Sequence, residues 1–417
     1  MKTALDDLAF FGGPAAFPRP LQVGRPNHID RQKLFERLGR ALDNQWLSNG
    51  GPLVQEFEQR VAELAGVRHA VATCNATVGF QLLMHAAGLA GEVIMPSMTF
   101  VATPHAVRWL GLTPVFADID PDTGNLDPEC AAGAVTPRTS ALLGVHLWGR
   151  PCAADALRKV ADTHGLPLFF DAAHAVGCSV DGRPLGSLGD AEVFSFHATK
   201  LVNAFEGGAV VTDDAELAGR VRALHNFGAG LAGGSPAGGT NAKMSEAAAA
   251  MGLTSLEALP AVMAHNRRNH ATYRTELKDV PGVLVAEHDK HGLNNHQYLI
   301  VEIDEEITGF TRDLLRDVLL AERVGTRAYF SPGCHQLEPY RRLRHAPLPH
   351  TEHLARRVLA LPTGTAVADE DIRRICEVVR LCAARGHELT ARHQAMAPAS
   401  ASPPPQPASR PRPQPRP

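Results

Sequence analysis

Short apolar runs bounded by turn residues recur through the first half of the chain. Seven of them, at residues 69–73, 93–96, 113–118, 140–146, 167–171, 191–196 and 208–212, are mostly β-branched or aromatic and are bounded by Gly, Pro, Asp or Asn. That pattern predicts buried strands. Between them, segments such as 77–87 and 153–164 carry apolar residues at helical spacing. Strand and helix in alternation predict an α/β fold, with a largely parallel sheet covered on both faces. Upstream, Asn49-Gly50-Gly51-Pro52 punctuates the chain, and Leu53, Val54, Phe57, Val61 and Leu64 then mark one face of an amphipathic helix.

The second half has a different texture. Residues 228–239 are Gly-rich and predict a mobile loop, and a long helical stretch follows over 245–277. Residues 296–303 and 327–330 then read as strands beside helices at 311–321 and 369–384, which suits a smaller α/β domain. From Met396 onward the chain is Pro, Ala, Ser, Gln and Arg, a composition that buries too little apolar area to order itself. The expected division is an N-terminal arm at 1–30, a large domain at 31–255, a small domain at 256–390 and a disordered tail at 391–417.

Composition removes several function classes. The 417 residues are 44% hydrophobic and 20% charged, enough apolar material for a substantial core. With 41 basic against 44 acidic residues, the net charge of −3 lacks the basic excess of a nucleic-acid surface. The opening Met1-Lys2-Thr3-Ala4-Leu5-Asp6-Asp7 places acids where a secretory signal needs an apolar run. No stretch reads as apolar for long enough to cross a bilayer. Cys74, Cys130, Cys152, Cys178, Cys334, Cys376 and Cys382 form no Cys-x-x-Cys pair and suit buried thiols of a reducing compartment. The expectation is a soluble cytoplasmic protein without nucleic-acid or membrane partners.

Two motifs are decoys. Gly228-Ala229-Gly230-Leu231-Ala232-Gly233 matches a dinucleotide fingerprint in its letters, yet more Gly, Ser and Pro follow where a helix must start. Asp118-Ile119-Asp120-Pro121-Asp122 resembles a calcium loop, but Thr123 stands where the turn needs Gly and a strand precedes it. There is no His-Glu-x-x-His, and no metal is expected.

The chemistry concentrates at two strand ends. Phe169-Phe170-Asp171-Ala172-Ala173-His174 and Phe194-Ser195-Phe196-His197-Ala198-Thr199-Lys200 both open apolar and turn polar at the carboxyl end, where open α/β sheets bind ligands. A carboxylate following buried aromatics needs a fixed positive partner. One coherent partner for both is pyridoxal phosphate, with Lys200 forming a Schiff base and Asp171 keeping the pyridine nitrogen protonated. The phosphate requires backbone N–H groups at a helix start plus hydroxyls. Cys74-Asn75-Ala76-Thr77-Val78-Gly79 lies between strand and helix, and Ser195 adds a hydroxyl. Phe100 is the candidate stacking ring, and His174 a candidate contact to the ring or its phenolic oxygen. Taken singly, a lysine is usually a solvated surface group, an aspartate a turn former and a phenylalanine core. Their convergence on one sheet edge carries the reading.

At these residues the chain resembles the sugar aminotransferases of the aspartate-aminotransferase fold (fold type I, dependent on pyridoxal phosphate). Trp46-Leu47-Ser48-Asn49-Gly50-Gly51-Pro52 is similar to the family's substrate-side loop, and Pro96-Ser97-Met98-Thr99-Phe100-Val101-Ala102-Thr103 to its ring-stacking segment. Asp171-Ala172-Ala173-His174 and Ser195-Phe196-His197-Ala198-Thr199-Lys200 match its cofactor motifs, and Gly239-Thr240-Asn241-Ala242-Lys243-Met244-Ser245-Glu246 its phosphate loop. The resemblance implies a large domain with a mostly parallel mixed sheet sandwiched by helices, and a smaller C-terminal α/β domain. It implies Lys200 as Schiff-base lysine and proton shuttle, Asp171 as pyridinium partner and Phe100 as stacking ring. Ala76, Thr77 and Ser195 would hold the phosphate together with Asn241 of a neighbouring chain, hence a homodimer with shared active sites. His174 stands where many members have Gln. Ser48, Arg327, Tyr329 and His335 are candidates for substrate contacts.

Val202-Asn203-Ala204-Phe205-Glu206-Gly207-Gly208 resembles the branch that aminates the sugar at C-4. The implied substrates are L-glutamate and a dTDP-linked 4-keto sugar. Three rivals remain at this point: amination at C-3 or of another nucleotide sugar, a dehydratase of the same fold with His in place of the lysine, and a non-catalytic nucleotide-sugar binder.

Overall fold

All seven predicted strands of the first half enter one sheet: β1 (His69–Thr73), β2 (Glu92–Pro96), β3 (Thr113–Ala117), β4 (Thr139–Val145), β5 (Leu168–Asp171), β6 (Ala191–Ser195) and β7 (Gly208–Thr212), in the order β1-β7-β6-β5-β4-β2-β3. The computed structural model describes residues 2–229, 238–288 and 292–396. Most of the Gly-rich loop and the chain from 397 onward, including 21 of the 27 residues of the expected tail, lie outside these residues. The helix Gly386–Met396 crosses the expected boundary at 391, so the first six residues assigned to the tail are helical.

Strands β2 to β6 run parallel, while β7 pairs antiparallel with both β6 and β1. The consequence is positional. Gly208, the first residue of β7, lies opposite Ser195 and Thr73, the last residues of its neighbours. Asp171 lies opposite Val145 at the end of β4. Strand ends and one strand start therefore share a single edge, the edge at which such sheets bind ligands.

Helices cover both faces. α1 (Pro52–Ala65) turns Leu53, Val54, Phe57 and Val61 inward, with Pro at its first turn where the missing N–H is no loss. α2 (Ala76–Ala86) follows β1 directly, and α3 (Ala102–Trp109) follows β2. α4 (Glu246–Leu277) is 32 residues long and passes from one domain to the other. Its Glu246 carboxylate accepts the Leu53 and Val54 N–H groups (2.8 and 2.9 Å), placing a buried negative charge at the start of α1. Contrary to the sequence expectation, α4 is long and apolar enough by length and composition to cross a membrane. More than half of that apolar window, 56%, is buried inside the protein, where its first half packs against Phe57 and the rest of α1.

Beyond α4, β8 (Val283–Val285), β9 (Leu299–Ile303) and β10 (Val358–Leu361) form an antiparallel sheet in the order β8-β9-β10. α5 (Arg312–Ala321) and α6 (Asp369–Ala384) close its core around Leu299, Val301, Leu315, Val318, Ile375 and Cys376. Leu5, Leu8, Phe17 and Leu21 from the chain start join this core, and Leu21–Gln22 pairs with Val324–Gly325. The predicted strand at 327–330 is not one. Only Arg327 makes a bridge, to Ala360, because the chain turns through Tyr329 to Ser331 and leaves the sheet.

Candidate active site

The acid comes first. Leu168, Phe169 and Phe170 are buried in β5, and Asp171 ends the strand at 8% exposure. Its Oδ1 accepts the Ala173 N–H at 3.0 Å and its Oδ2 the Thr103 hydroxyl at 2.8 Å. Burial pushes its pKa up, opposed by these two hydrogen bonds and by the charges of Lys200 and His146. The carboxylate is thus fixed in direction and stabilised further by any cation placed against it.

Lys200 supplies the amine. After β6 the chain turns through His197 to Thr199, and the lysine reaches back into the protein. Its Nζ donates to Tyr298 Oη at 3.1 Å. Burial lowers its pKa to about 8, against the opposing pull of Asp171 and Tyr329. Tyr298 arrives from the small domain just ahead of β9, and burial pushes its own pKa up, so it remains a neutral phenol. Gln297 Oε1 accepts the Leu201 N–H at 2.9 Å and ties the two segments together.

The start of α2 makes an anion cradle. Asn75 caps the helix, its side chain accepting the Val78 N–H at 2.9 Å and its carbonyl the Gly79 N–H at 3.0 Å. The Ala76 and Thr77 N–H groups keep no acceptor among the described residues, as expected of the first turn. Gly208 makes the close packing possible: a Cβ there would lie 2.5 Å from Ala76 N. Ala76 and Thr77, with Ser195, line a cavity of about 560 Å³ that also holds Asp171, Lys200, His174 and Phe100.

The rings complete the walls. Phe100 is 54% exposed at the mouth, its centroid 6.0 Å from that of Phe330. The His174 ring stacks on Phe330 (5.9 Å, 13° between planes) and lies 4.5 Å from the Tyr298 ring. Its Nδ1 accepts the Trp148 N–H at 3.2 Å, which assigns the ring proton to Nε2. Burial and the nearby Lys200 hold its pKa well below the ordinary histidine value, so the ring is neutral.

Of the residues expected from sequence, the fold brings Ala76, Thr77, Phe100, Asp171, His174, Ser195, Lys200 and Tyr329 to this cavity. It does not bring four others. Ser48 is exposed and off the cavity. Arg327 is exposed, its guanidinium donating to the Thr326 carbonyl at 3.0 Å. His335 is a correction: it is buried at 4% exposure, with Nδ1 2.7 Å from Ser97 Oγ and Nε2 3.5 Å from Glu352. It anchors a loop and does not face the cavity. Asn241 is exposed and absent from the cavity of its own chain. Against the dehydratase alternative, the buried amine that feels the Asp171 charge belongs to Lys200, while His197, which also lines the cavity, is exposed and pairs with Thr199 Oγ1 at 2.8 Å.

Sequence reasoning missed Thr103, Tyr298 and Phe330. Thr103 ended the quoted ring-stacking segment, four residues after Thr99, whose hydroxyl lies 2.9 Å from its own, so a signal existed. Tyr298 and Phe330 sit in small-domain segments with no local pattern, and only the tertiary fold delivers them.

The donor set fits pyridoxal phosphate: two unpartnered N–H groups and two hydroxyls for a phosphate, one fixed carboxylate for a ring nitrogen and one buried amine for a carbonyl. Comparison with known proteins points the same way. A family model described as the DegT/DnrJ/EryC1/StrS aminotransferase family matches residues 28–380. The dTDP-4-amino-4,6-dideoxy-D-glucose transaminase of Escherichia coli is 34% identical over 368 residues, covering 87% of this chain and 98% of that protein. A crystal structure of DesI in the presence of its TDP-sugar product is 79% identical, with a TM-score of 0.93, covering 94% of this chain and 100% of that one. The structure of S. venezuelae DesV in complex with a ketimine intermediate is 32% identical, with a TM-score of 0.78, covering 86% of this chain and 99% of that one.

Proposed function

The chain belongs to the DegT/DnrJ/EryC1/StrS aminotransferase family and depends on pyridoxal phosphate, and we propose that it moves the amino group of L-glutamate to the C-4 ketone of dTDP-4-keto-6-deoxyglucose. The product is dTDP-4-amino-4,6-dideoxyglucose, made in the cytoplasm as an amino sugar for antibiotic assembly. The observation that carries the aminotransferase chemistry is the convergence of Lys200, Asp171 and the Ala76–Thr77 cradle in one cavity. The choice of substrate is supported by the product named for the Escherichia coli relative and by the TDP-sugar product of DesI.

Bound pyridoxal phosphate supplies a conjugated ring that takes up the electron pair left on a substrate carbon. The chain's own residues do the rest. Asp171 holds a negative charge where the ring nitrogen is to stay protonated, and Thr103 and Ala173 fix its direction. Lys200 accepts the glutamate α-carbon proton on Nζ in the first half-reaction and delivers a proton to sugar C-4 in the second. A pKa of about 8 leaves that amine able to hold and release a proton near neutrality. Tyr298 restrains Nζ between the two domains. His174 presents an Nε2–H donor suited to the cofactor's phenolic oxygen, the service a Gln side-chain amide would also render.

In this reading the active unit is a homodimer, and the partner's Asn241 reaches the cofactor phosphate. Trp46, Leu47, Phe100, Phe205 and Phe227 are 46–66% exposed, an apolar surface that a second copy would cover.

The test is direct. The loaded protein given L-glutamate should lose its visible absorbance, regain it with dTDP-4-keto-6-deoxyglucose and yield a product whose NMR spectrum has the amine at C-4. Exclusive amination of a 3-keto isomer would overturn the assignment of position. Lys200→Ala should remove both colour and turnover while the circular dichroism spectrum stays native.

A further inference from the structure

The chain from Arg327 to His335 passes from the small domain to the large one, and its two ends are held by different cores. At the start, Arg327 exchanges two backbone hydrogen bonds with Ala360 of β10 (3.1 and 2.7 Å). Buried Arg312 of α5 adds a third tie, its Nη2 donating to Ser331 Oγ at 3.1 Å. At the far end, Cys334 packs in the large-domain core with Val93, Met95 and Phe116. Tyr329 and Phe330 lie between these ends and line the active-site cavity.

The far end is fixed by hydrogen bonds to the segment after β2, the segment that carries Phe100. Ser97 is fully buried, and its carbonyl accepts the Cys334 N–H at 2.9 Å. Its Oγ accepts the His335 N–H at 3.0 Å and lies 2.7 Å from His335 Nδ1. The Cys334 thiol donates to the Thr99 carbonyl at 3.2 Å. His335 Nε2 faces the Glu352 carboxylate at 3.5 Å, which places the ring proton on Nε2 and leaves Nδ1 to accept the Ser97 hydroxyl proton. One serine hydroxyl thus both accepts from and donates to one histidine. Burial and nearby His345 lower the His335 pKa, so the ring stays neutral and keeps that acceptor. A Cβ on Gly333 would lie 3.0 Å from the ring and 3.1 Å from Ser97 Oγ, so glycine leaves the pair room to close.

The consequence reaches the cavity through spacing. Ser97 lies three residues before Phe100 and His335 five after Phe330, and those two rings stand 6.0 Å apart at the mouth. His174, on which Phe330 stacks, is held independently: its Nδ1 accepts the Trp148 N–H and its carbonyl the Asn295 amide (3.2 and 3.0 Å). Loss of the Ser97–His335 pair would therefore move Phe330 and leave the groups around Lys200 and Asp171 in place.

We propose that Ser97 and His335 are positioning residues for the reaction: their clasp fixes Phe330 against Phe100 and shapes the mouth for the larger substrate, the nucleotide sugar. A nucleotide sugar is several times the size of glutamate and extends through that mouth, so it feels the ring spacing most. The assignment rests on the substrate reading given above.

Kinetics on the loaded protein test it, with dTDP-4-keto-6-deoxyglucose and L-glutamate varied in turn. Ser97→Ala should raise KM for the sugar about tenfold, the worth of the hydrogen bonds lost, while kcat and KM for glutamate change less than about twofold. At His335 a purely structural role favours the better-packing residue, whereas the clasp favours the better hydrogen-bonding one. His335→Leu should therefore match Ser97→Ala, and His335→Asn, whose amide oxygen can accept the Ser97 proton, should recover most of the affinity. Crystal structures of Ser97→Ala and His335→Leu should show Phe330 moved off Phe100 and His174. Should one position fold poorly by circular dichroism, the other carries the test. Sugar KM unchanged in folded variants, kcat and both KM values worsening together, Leu outperforming Asn, or Phe330 unmoved would overturn the proposal. If the unaltered protein leaves this sugar untouched, it is the substrate reading that fails, and the position of Phe330 still decides the clasp.

Discussion

Thr103 and Ala173 determine how Asp171 can act. Burial in β5 pushes the Asp171 carboxyl toward its protonated form; two donors and the nearby Lys200 and His146 charges oppose that push. Thr103→Val keeps the shape and deletes one donor. A hydrogen bond to a charged group contributes about 1.5–3 kcal/mol, so kcat should fall about 10- to 100-fold. KM for the amino donor should change little, since Thr103 lines no part of the cavity. Thr103→Ser should restore most of the rate; equal losses in both variants would mean that packing, not the hydroxyl, is what matters. Lys200 makes a pH prediction. Only the neutral amine attacks a carbonyl, and its pKa is about 8, not the ordinary 10.5. Capture of pyridoxal phosphate by the cofactor-free protein should therefore speed up as pH rises, with a midpoint near 8, and level off above it. Asp171 raises the Lys200 pKa, so Asp171→Asn should move the midpoint to lower pH. Stopped-flow absorbance measures both, and a midpoint at the ordinary lysine value would contradict the buried setting.

At the scale of elements, the antiparallel insertion of β7 makes the cradle. It brings Gly208 against the start of α2, where an added Cβ would meet Ala76 N at 2.5 Å and Asn75 C at 2.7 Å, both backbone atoms that cannot swing aside. Gly208→Ala should force strand and helix apart, cost about 1–3 kcal/mol as overpacking does, and weaken cofactor binding about tenfold. Gly219, in the helix Ala215–Leu224, has open space around it, and Gly219→Ala should stabilise by roughly 0.5–1 kcal/mol. Melting curves and cofactor titrations of the two variants separate close approach from a general response to added bulk. Much of this level was legible in the chain. The seven strands could be read because each is a short apolar run closed by turn residues, and Asp171 and Lys200 because they follow such runs directly. Strand order could not be read, since β7 carries the same apolar signature whichever way it points. Residues 327–330 looked like a strand because the alternation continues up to a turn that only the fold imposes. His335 looked like a donor because nothing local announces Ser97 and Glu352, its partners from distant segments.

For the whole molecule, the site is a joint product of both domains. The large domain fixes Asp171, Lys200 and the cradle, while Tyr298, Tyr329 and Phe330 come from beyond α4. The chain start secures the small domain: Glu322, fully buried, accepts the Ala9 and Ala16 N–H groups at 2.7 Å each. Asn241 does not line its own chain's cavity, which agrees with the role proposed for it across a dimer interface. If it serves the partner, Lys200→Ala and Asn241→Ala disable different halves of each shared site. Two inactive homodimers, unfolded and refolded together, then exchange subunits. In a mixed dimer one site combines both defects, and the other combines an intact Lys200 with an intact partner's Asn241. Random pairing makes half the dimers mixed and one site in two of those whole, so about a quarter of the original activity should return in a two-fold symmetric dimer. Recovery must follow subunit exchange and be absent when the proteins are mixed without it. Activity that stays at the level of the separate variants after exchange would place Asn241 on its own chain's cofactor, or on none.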